Sequence, residues 1–142
     1  MAQFSWTDDL HTGNALIDGD HRELIGLINT LFQAMEGGES GAALGEAMRA
    51  LIGYSAQHFA REEAEMERIG YVAALAHRTE HAKLLMQVTE LQEMLDAGRR
   101  INVPAVSAFL GDWLRDHILA ADMKLAAALR RQLSPAPAAQ LQ

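Results

Sequence analysis

The sequence predicts an all-α protein, an up-down-up-down antiparallel four-helix bundle preceded by an irregular N-terminal arm. Three observations carry that expectation. The chain holds only 3 prolines and none before Pro104, so no ring constraint or missing N–H interrupts the long stretch ahead of it. Apolar residues recur at helical spacing in four successive segments, with no strand-like alternation and no internal repeat. The joints between those segments are short and contain glycine, and short joints connect only antiparallel neighbours.

Residues 1–17 show no sustained period and include Trp6, Gly13 and Asn14, so they make the arm. The first helix is expected to start at Asp18 or Asp20, either of which can accept the free N–H groups of a first turn, with Glu23 completing a capping-box-like pair. Leu24, Ile25, Leu27, Ile28, Leu31, Phe32 and Met35 form its apolar stripe, and Gly37-Gly38 ends it. Ser40 is the expected cap of the second helix, whose broad inner face carries Leu44, Met48, Leu51, Ile52, Ser55, His58, Phe59, Glu62 and Met66 before Gly70 stops it. A third helix is expected from about Val72 to Ala97 through Leu75, Leu84, Leu85, Val88, Leu91 and Leu95, closed by Gly98. Asn102 caps the fourth, with Pro104 in the first turn where its missing N–H costs nothing. Phe109, Trp113, Leu114, Ile118 and Leu125 line its apolar side to about Leu133, and the tail Ser134–Gln142 is expected to be disordered.

Composition narrows the function. The 142 residues, 15.5 kDa, are the size of one domain. With 49% hydrophobic residues, such a chain can bury roughly 70% of its unfolded surface. A net charge of −7 argues against nucleic acid, because no basic surplus exists to displace counterions from phosphates. The absence of cysteine excludes disulfides, thiolate catalysis, zinc fingers and iron–sulfur clusters. No apolar run is long enough for membrane insertion, and the acidic N-terminus does not read as a signal peptide. A cytoplasmic protein is expected, and the acidic surface without an obvious apolar patch leans towards a monomer.

The informative feature is where the 6 histidines fall. His21 opens the first helix. His58 and Glu62 are four apart on the second, and His77 and His81 four apart on the third, a spacing that stacks side chains on one helical face. On both helices that face coincides with the apolar stripe, so the imidazoles point inward. His117 and Asp122 on the fourth are five apart, about 140° out of register on an α-helical wheel. That pair converges only across a π-bulge, or by reaching different metal ions. His11, in the arm, belongs to no pattern.

Any one of these pairs is more often a solvated helix pair or a satisfied core residue than a ligand set. Together, five inward histidines and two carboxylates on four helices point to metal, since buried imidazoles without partners are costly. Five imidazole nitrogens and both oxygens of two carboxylates supply nine bonds to a pair of octahedral ions. A solvent-derived bridge raises that to eleven and leaves one position open. Zinc prefers fewer ligands and has no redox chemistry; imidazole with carboxylate suits iron, and manganese remains chemically open. Fewer anionic ligands than in the Glu-x-x-His oxidases favour reversible binding over oxidation.

Those residues, with FSWTDDL, IDGDHREL, HFAREEAEM, HRTEH and FLGDWLRDHILAAD along nearly the whole chain, resemble the hemerythrins, in particular the bacterial single-domain ones. The resemblance implies one hemerythrin-like domain over residues 1–133. It implies two iron ions bridged by an oxo or hydroxo group, with His77, His81 and His117 on the coordinatively full iron, His21 and His58 on the iron with the open position, and Glu62 and Asp122 bridging. It implies that dioxygen binds at the open position of the diferrous pair and leaves by the reverse steps. Leu24, Phe59, Trp113, Leu114 and Ile118 match the family's apolar pocket and also read as ordinary core. Val72 stands where many relatives have proline, and His11 where no family ligand is expected.

An oxygen carrier or store, with an oxygen-accepting oxidase as its delivery partner, is the function this implies, and no catalysis. The alternatives are an oxygen or redox sensor, disfavoured because no signalling domain is fused, and a di-iron enzyme turning over peroxide or nitric oxide. The latter is disfavoured because no general acid or base beyond the ligands is evident.

Overall fold

The computed structural model describes residues 4–38, 41–100 and 102–133. Helices α1 (Ala15–Glu36), α2 (Gly41–Ile69), α3 (Ala74–Asp96) and α4 (Val103–His117) run up, down, up and down. A π-helical turn, Ile118–Asp122, continues α4 into α5 (Met123–Leu133), so the fourth arm of the bundle is one rod with a widened turn in it. The α2 helix packs along both α1 and α3, while α4 returns against α1 and α5 against the end of α2. Among the described residues there is no strand, and no helix is long and apolar enough to cross a membrane.

Helix ends follow local chemistry. The Asn14 side chain accepts from the Ile17 amide at 3.0 Å, and Asn102 likewise from Ala105 at 3.0 Å, each satisfying a first-turn donor. Gly70, at φ 62°, lets α2 turn left-handedly so that the Tyr71 amide can reach back to the Met66 carbonyl at 2.9 Å. The expected cap at Asp18 or Asp20 is corrected: Asn14 takes that role and α1 starts at Ala15. Asp18 is engaged by the arm, accepting from the amide and hydroxyl of Thr12 at 2.9 and 2.7 Å, and lies 3.1 Å from His11 Nδ1. The expected cap Ser40 and the tail from Ser134 lie outside the described residues.

The arm is irregular but pinned. It contains one 3-10 turn, Asp8–Leu10, with Leu10 fully buried. Phe4 and Asn29 exchange two hydrogen bonds, and the Arg22 guanidinium sits 4.3 Å over the Trp6 ring. Two stripe residues are corrected. Leu75, near the start of α3, is 73% exposed, and Phe109 is 37% exposed because it lies on the outer flank of α4.

The apolar residues make two clusters. The larger spans Leu24, Ile28, Met48, Leu51, Phe59, Val88, Leu110 and Ile118; the smaller joins Ile17, Met66, Leu125 and Leu129. Between them lies a polar layer. On α1, His21 falls between Ile17 and Leu24; on α2, Glu62 falls between Phe59 and Met66; on the fourth arm, Asp122 falls between Ile118 and Leu125.

Candidate metal centre

Each helix delivers its share of that layer from the packed face, and all seven residues picked out by spacing meet there. His21, His58, Glu62, His77, His81, His117 and Asp122 are buried, none more than 5% exposed. The π turn brings in the last of them. It places Asp122 Oδ1 3.1 Å from His117 Nε2, although the two are five positions apart.

The carboxylates divide the histidines into two groups. Asp122 Oδ1 faces His77 and His117 Nε2 at 3.1 Å each, and Glu62 Oε1 faces His81 at 2.9 Å and His77 at 3.4 Å. The other oxygens point the other way: Asp122 Oδ2 lies 2.7 Å from His21 Nε2, and Glu62 Oε2 3.1 Å from His58 Nε2. Two candidate ligand sets result, His77, His81 and His117 on one side and His21 and His58 on the other, sharing Glu62 and Asp122, each with its donor atoms within 4.8 Å of one another.

Electrostatics without an ion are strained into compensation. Burial alone would lower the His58 pKa, but the Asp122 and Glu62 carboxylates outweigh it and push it up to about 10. His117, also opposed by burial, is pushed up to about 9 by Asp122 and Glu62, and His77 is raised for the same reason. Burial, and for Glu62 also the Asp122 charge, would raise the two carboxyls; the imidazoles around them hold both well below their ordinary values.

The residues fit a pair of cations. The imidazole nitrogens His58 Nε2 and His117 Nε2 and the carboxylate oxygen Glu62 Oε2 are buried and make no hydrogen bond, although each faces a ligand set. Such groups lack a hydrogen-bond partner in the protein, and one cation in each set would supply it. Imidazole with carboxylate is a donor set for divalent or trivalent transition ions.

The apolar residues expected beside the site are all buried: Leu24, Phe59, Trp113, Leu114 and Ile118. Phe59 stacks on the His81 ring, centroids 4.0 Å apart and 8° from parallel, and meets His117 edge-on at 5.6 Å. Trp113 donates its indole N–H to the Leu84 carbonyl at 3.2 Å and lies 6.4 Å from Phe59. His11 stays outside, 65% exposed at its side chain.

Sequence reasoning missed the carboxylates behind the histidines. His58 Nδ1 is 2.8 Å from Asp20 Oδ2, and His81 Nδ1 is 2.8 Å from Glu63 Oε2. Asp20 was expected as a cap; its carboxylate also accepts from Tyr54 Oη and from Arg61 Nε and Nη2 at 2.8–2.9 Å. Burial would raise the Asp20 pKa, and the hydrogen bonds from Arg61, His58 and Tyr54 bring it below its ordinary value. Arg61 is three positions from His58 on α2, the one local spacing that could have drawn attention to it.

Residues 12–129 match the family model described as the hemerythrin HHE cation binding domain. The chain is 35% identical over 134 residues to a bacteriohemerythrin of Pseudomonas paraeruginosa, covering 94% of this chain and 86% of that protein. It is 33% identical over 119 residues to a bacteriohemerythrin of Methylococcus capsulatus, covering 83% and 90%. A crystal structure of wild-type hemerythrin superposes with a TM-score of 0.80 at 31% identity, covering 88% of this chain and 96% of that one.

Proposed function

The chain belongs to the hemerythrin family, and from that premise we propose that it binds dioxygen reversibly at two iron ions, as a carrier or store and not as an enzyme. The observation that carries the reading is the division of Glu62 and Asp122, each turning one oxygen to the three-histidine set and the other to the two-histidine set. Two ferrous ions held by these residues would supply the electrons that dioxygen binding borrows and returns.

The residues of the chain then have distinct tasks. His77, His81 and His117 would hold one ion; His21 and His58, fewer by one, would hold the other and leave room for a ligand. Glu62 and Asp122, shared by both sets, would bind to both ions and offset their charge. Leu24, Phe59, Trp113, Leu114 and Ile118 exclude water, which matters because hydration and protonation of the bound ligand would make its release irreversible. Stacking of Phe59 on His81 keeps that imidazole from turning.

The working unit is residues 1–133, acting as a cytoplasmic monomer that delivers oxygen to an oxidase. The test is an optical spectrum of the anaerobically reduced, iron-loaded protein before oxygen, after oxygen, and again after deoxygenation. A visible charge-transfer band that comes and goes with oxygen supports the carrier reading. Direct passage to a stable diferric spectrum would replace it with sensing, or with turnover of peroxide or nitric oxide.

A further inference from the structure

Building on the two-ion reading, we propose that Asp20 and Glu63 are positioning residues that act on different ions, Asp20 through His58 and Glu63 through His81. In both pairs the imidazole turns Nδ1 to a carboxylate at 2.8 Å and Nε2 to Glu62, at 3.1 Å for His58 and 2.9 Å for His81. A proton on Nδ1 donated to the carboxylate leaves the Nε2 lone pair free for a metal, fixes the ring plane and makes the nitrogen a stronger donor. The two Nε2 atoms face opposite oxygens of Glu62, so the two carboxylates serve opposite sides of the centre.

Asp20 has a second task that Glu63 lacks. It precedes His21 in the chain and bonds His58 across the helix interface, and these are the two histidines of the two-histidine set. One carboxylate thus fixes the spacing between the only histidines on that side. Its own position is set from α2 by Tyr54 and by both Nε and Nη2 of Arg61. Glu63 sits on α2 beside Glu62, and among the described residues its one ion pair is with His81.

The experiment is stepwise cobalt(II) titration of the metal-free protein, followed by visible absorption and calorimetry. Wild type is expected to bind two ions, the tighter at the three-histidine set, which has five protein ligands against four. Asp20→Asn should weaken the second ion about ten- to hundredfold and leave the first unchanged. Glu63→Gln should weaken the first. Tyr54→Phe and Arg61→Gln, at partly exposed partners, keep the fold intact and should weaken only the second ion, by several-fold. A proton resonance from His58 Nδ1–H in the zinc-loaded protein should persist in Asp20→Asn and vanish in Asp20→Ala, which general loosening would not produce. Equal losses at both ions in Asp20→Asn and Glu63→Gln, or no loss in either, would overturn the assignment while leaving the two-ion centre standing. Uptake of fewer than two ions by wild type would remove the two-ion reading itself, and this inference with it.

Discussion

His117 Nε2 and Asp122 Oδ1 lie 3.1 Å apart across five residues of chain, a contact made where the helix widens into a π turn. An α-helix brings residues three or four apart together, so this pair depends on backbone geometry that its neighbours on α2 and α3 do not need. Asp122 also reaches His21 and His77. It thereby ties together histidines of α1, α3 and α4.

Substituting that charge should be visible without any metal. Asp122 is among the groups that push His58 up to about 10 and His117 up to about 9. Asp122→Asn keeps the shape and removes the charge, so both histidines should titrate closer to their ordinary range. Histidine NMR titrations of metal-free wild type and variant would check this, and unchanged titration would show that Glu62 alone sustains the shifts.

The same shifts give metal-free stability a pH dependence of definite sign. His58 and His117 titrate above the unfolded value of about 6.5, so their contribution is complete below that pH and disappears as pH rises through about 9 and about 10. Glu62 and Asp122 titrate below 4.5 and 3.8, so their contribution exists above those values and is lost on acidification. The metal-free protein should melt highest between roughly pH 5 and 6.5 and weaken on both sides. Metal must displace the histidine protons, so loading at neutral pH should release about two protons from His58 and His117, with a further contribution from His77, and the alkaline decline should flatten. Calorimetric melting across pH, with and without metal, reads both effects.

The bundle was largely legible because its signals are local. Gly37-Gly38, Gly70, Gly98 and Asn102 mark helix ends by their own backbone preferences, and i, i+4 spacing placed His58 with Glu62 and His77 with His81 on inner faces. What escaped was decided by partners distant in sequence. Asp18 has the chemistry of a cap, but Thr12 of the folded-back arm claims it and Asn14 caps instead. Asp20 also looks like a cap, and becomes the partner of His58 and Arg61 only after α2 has packed on α1. The π turn could be posed as a condition for His117 and Asp122 to meet, but nothing in ILAAD itself demands it.

Removing a histidine from the two-histidine set should separate metal chemistry from folding. His21→Ala or His58→Ala leaves that set with one imidazole, so the second ion should be lost and reversible oxygen binding with it. The helices rest on the apolar clusters to either side, so far-ultraviolet circular dichroism should hardly change. A variant that still formed a reversible oxygenated species would mean that the open position belongs to the other ion.

Trp113 and Leu114 separate dryness from metal ligation. Trp113 lines a surface groove with Lys83, Asp112, Asp116 and His117, and its ring stands against Phe59, which stacks on His81. Truncating it to alanine deepens that groove towards Phe59 and leaves the Leu84 carbonyl without its indole donor. The fold should lose about 3–5 kcal/mol for Trp113→Ala and about 2–5 kcal/mol for Leu114→Ala. Both variants keep all seven ligands, so metal content should stay at the wild-type level while autoxidation accelerates, most in Trp113→Ala. Stopped-flow spectra of the oxygenated protein, alongside iron analysis, distinguish the cases. Faster autoxidation at full iron content assigns water exclusion to these side chains, whereas an unchanged rate would leave them as core packing alone.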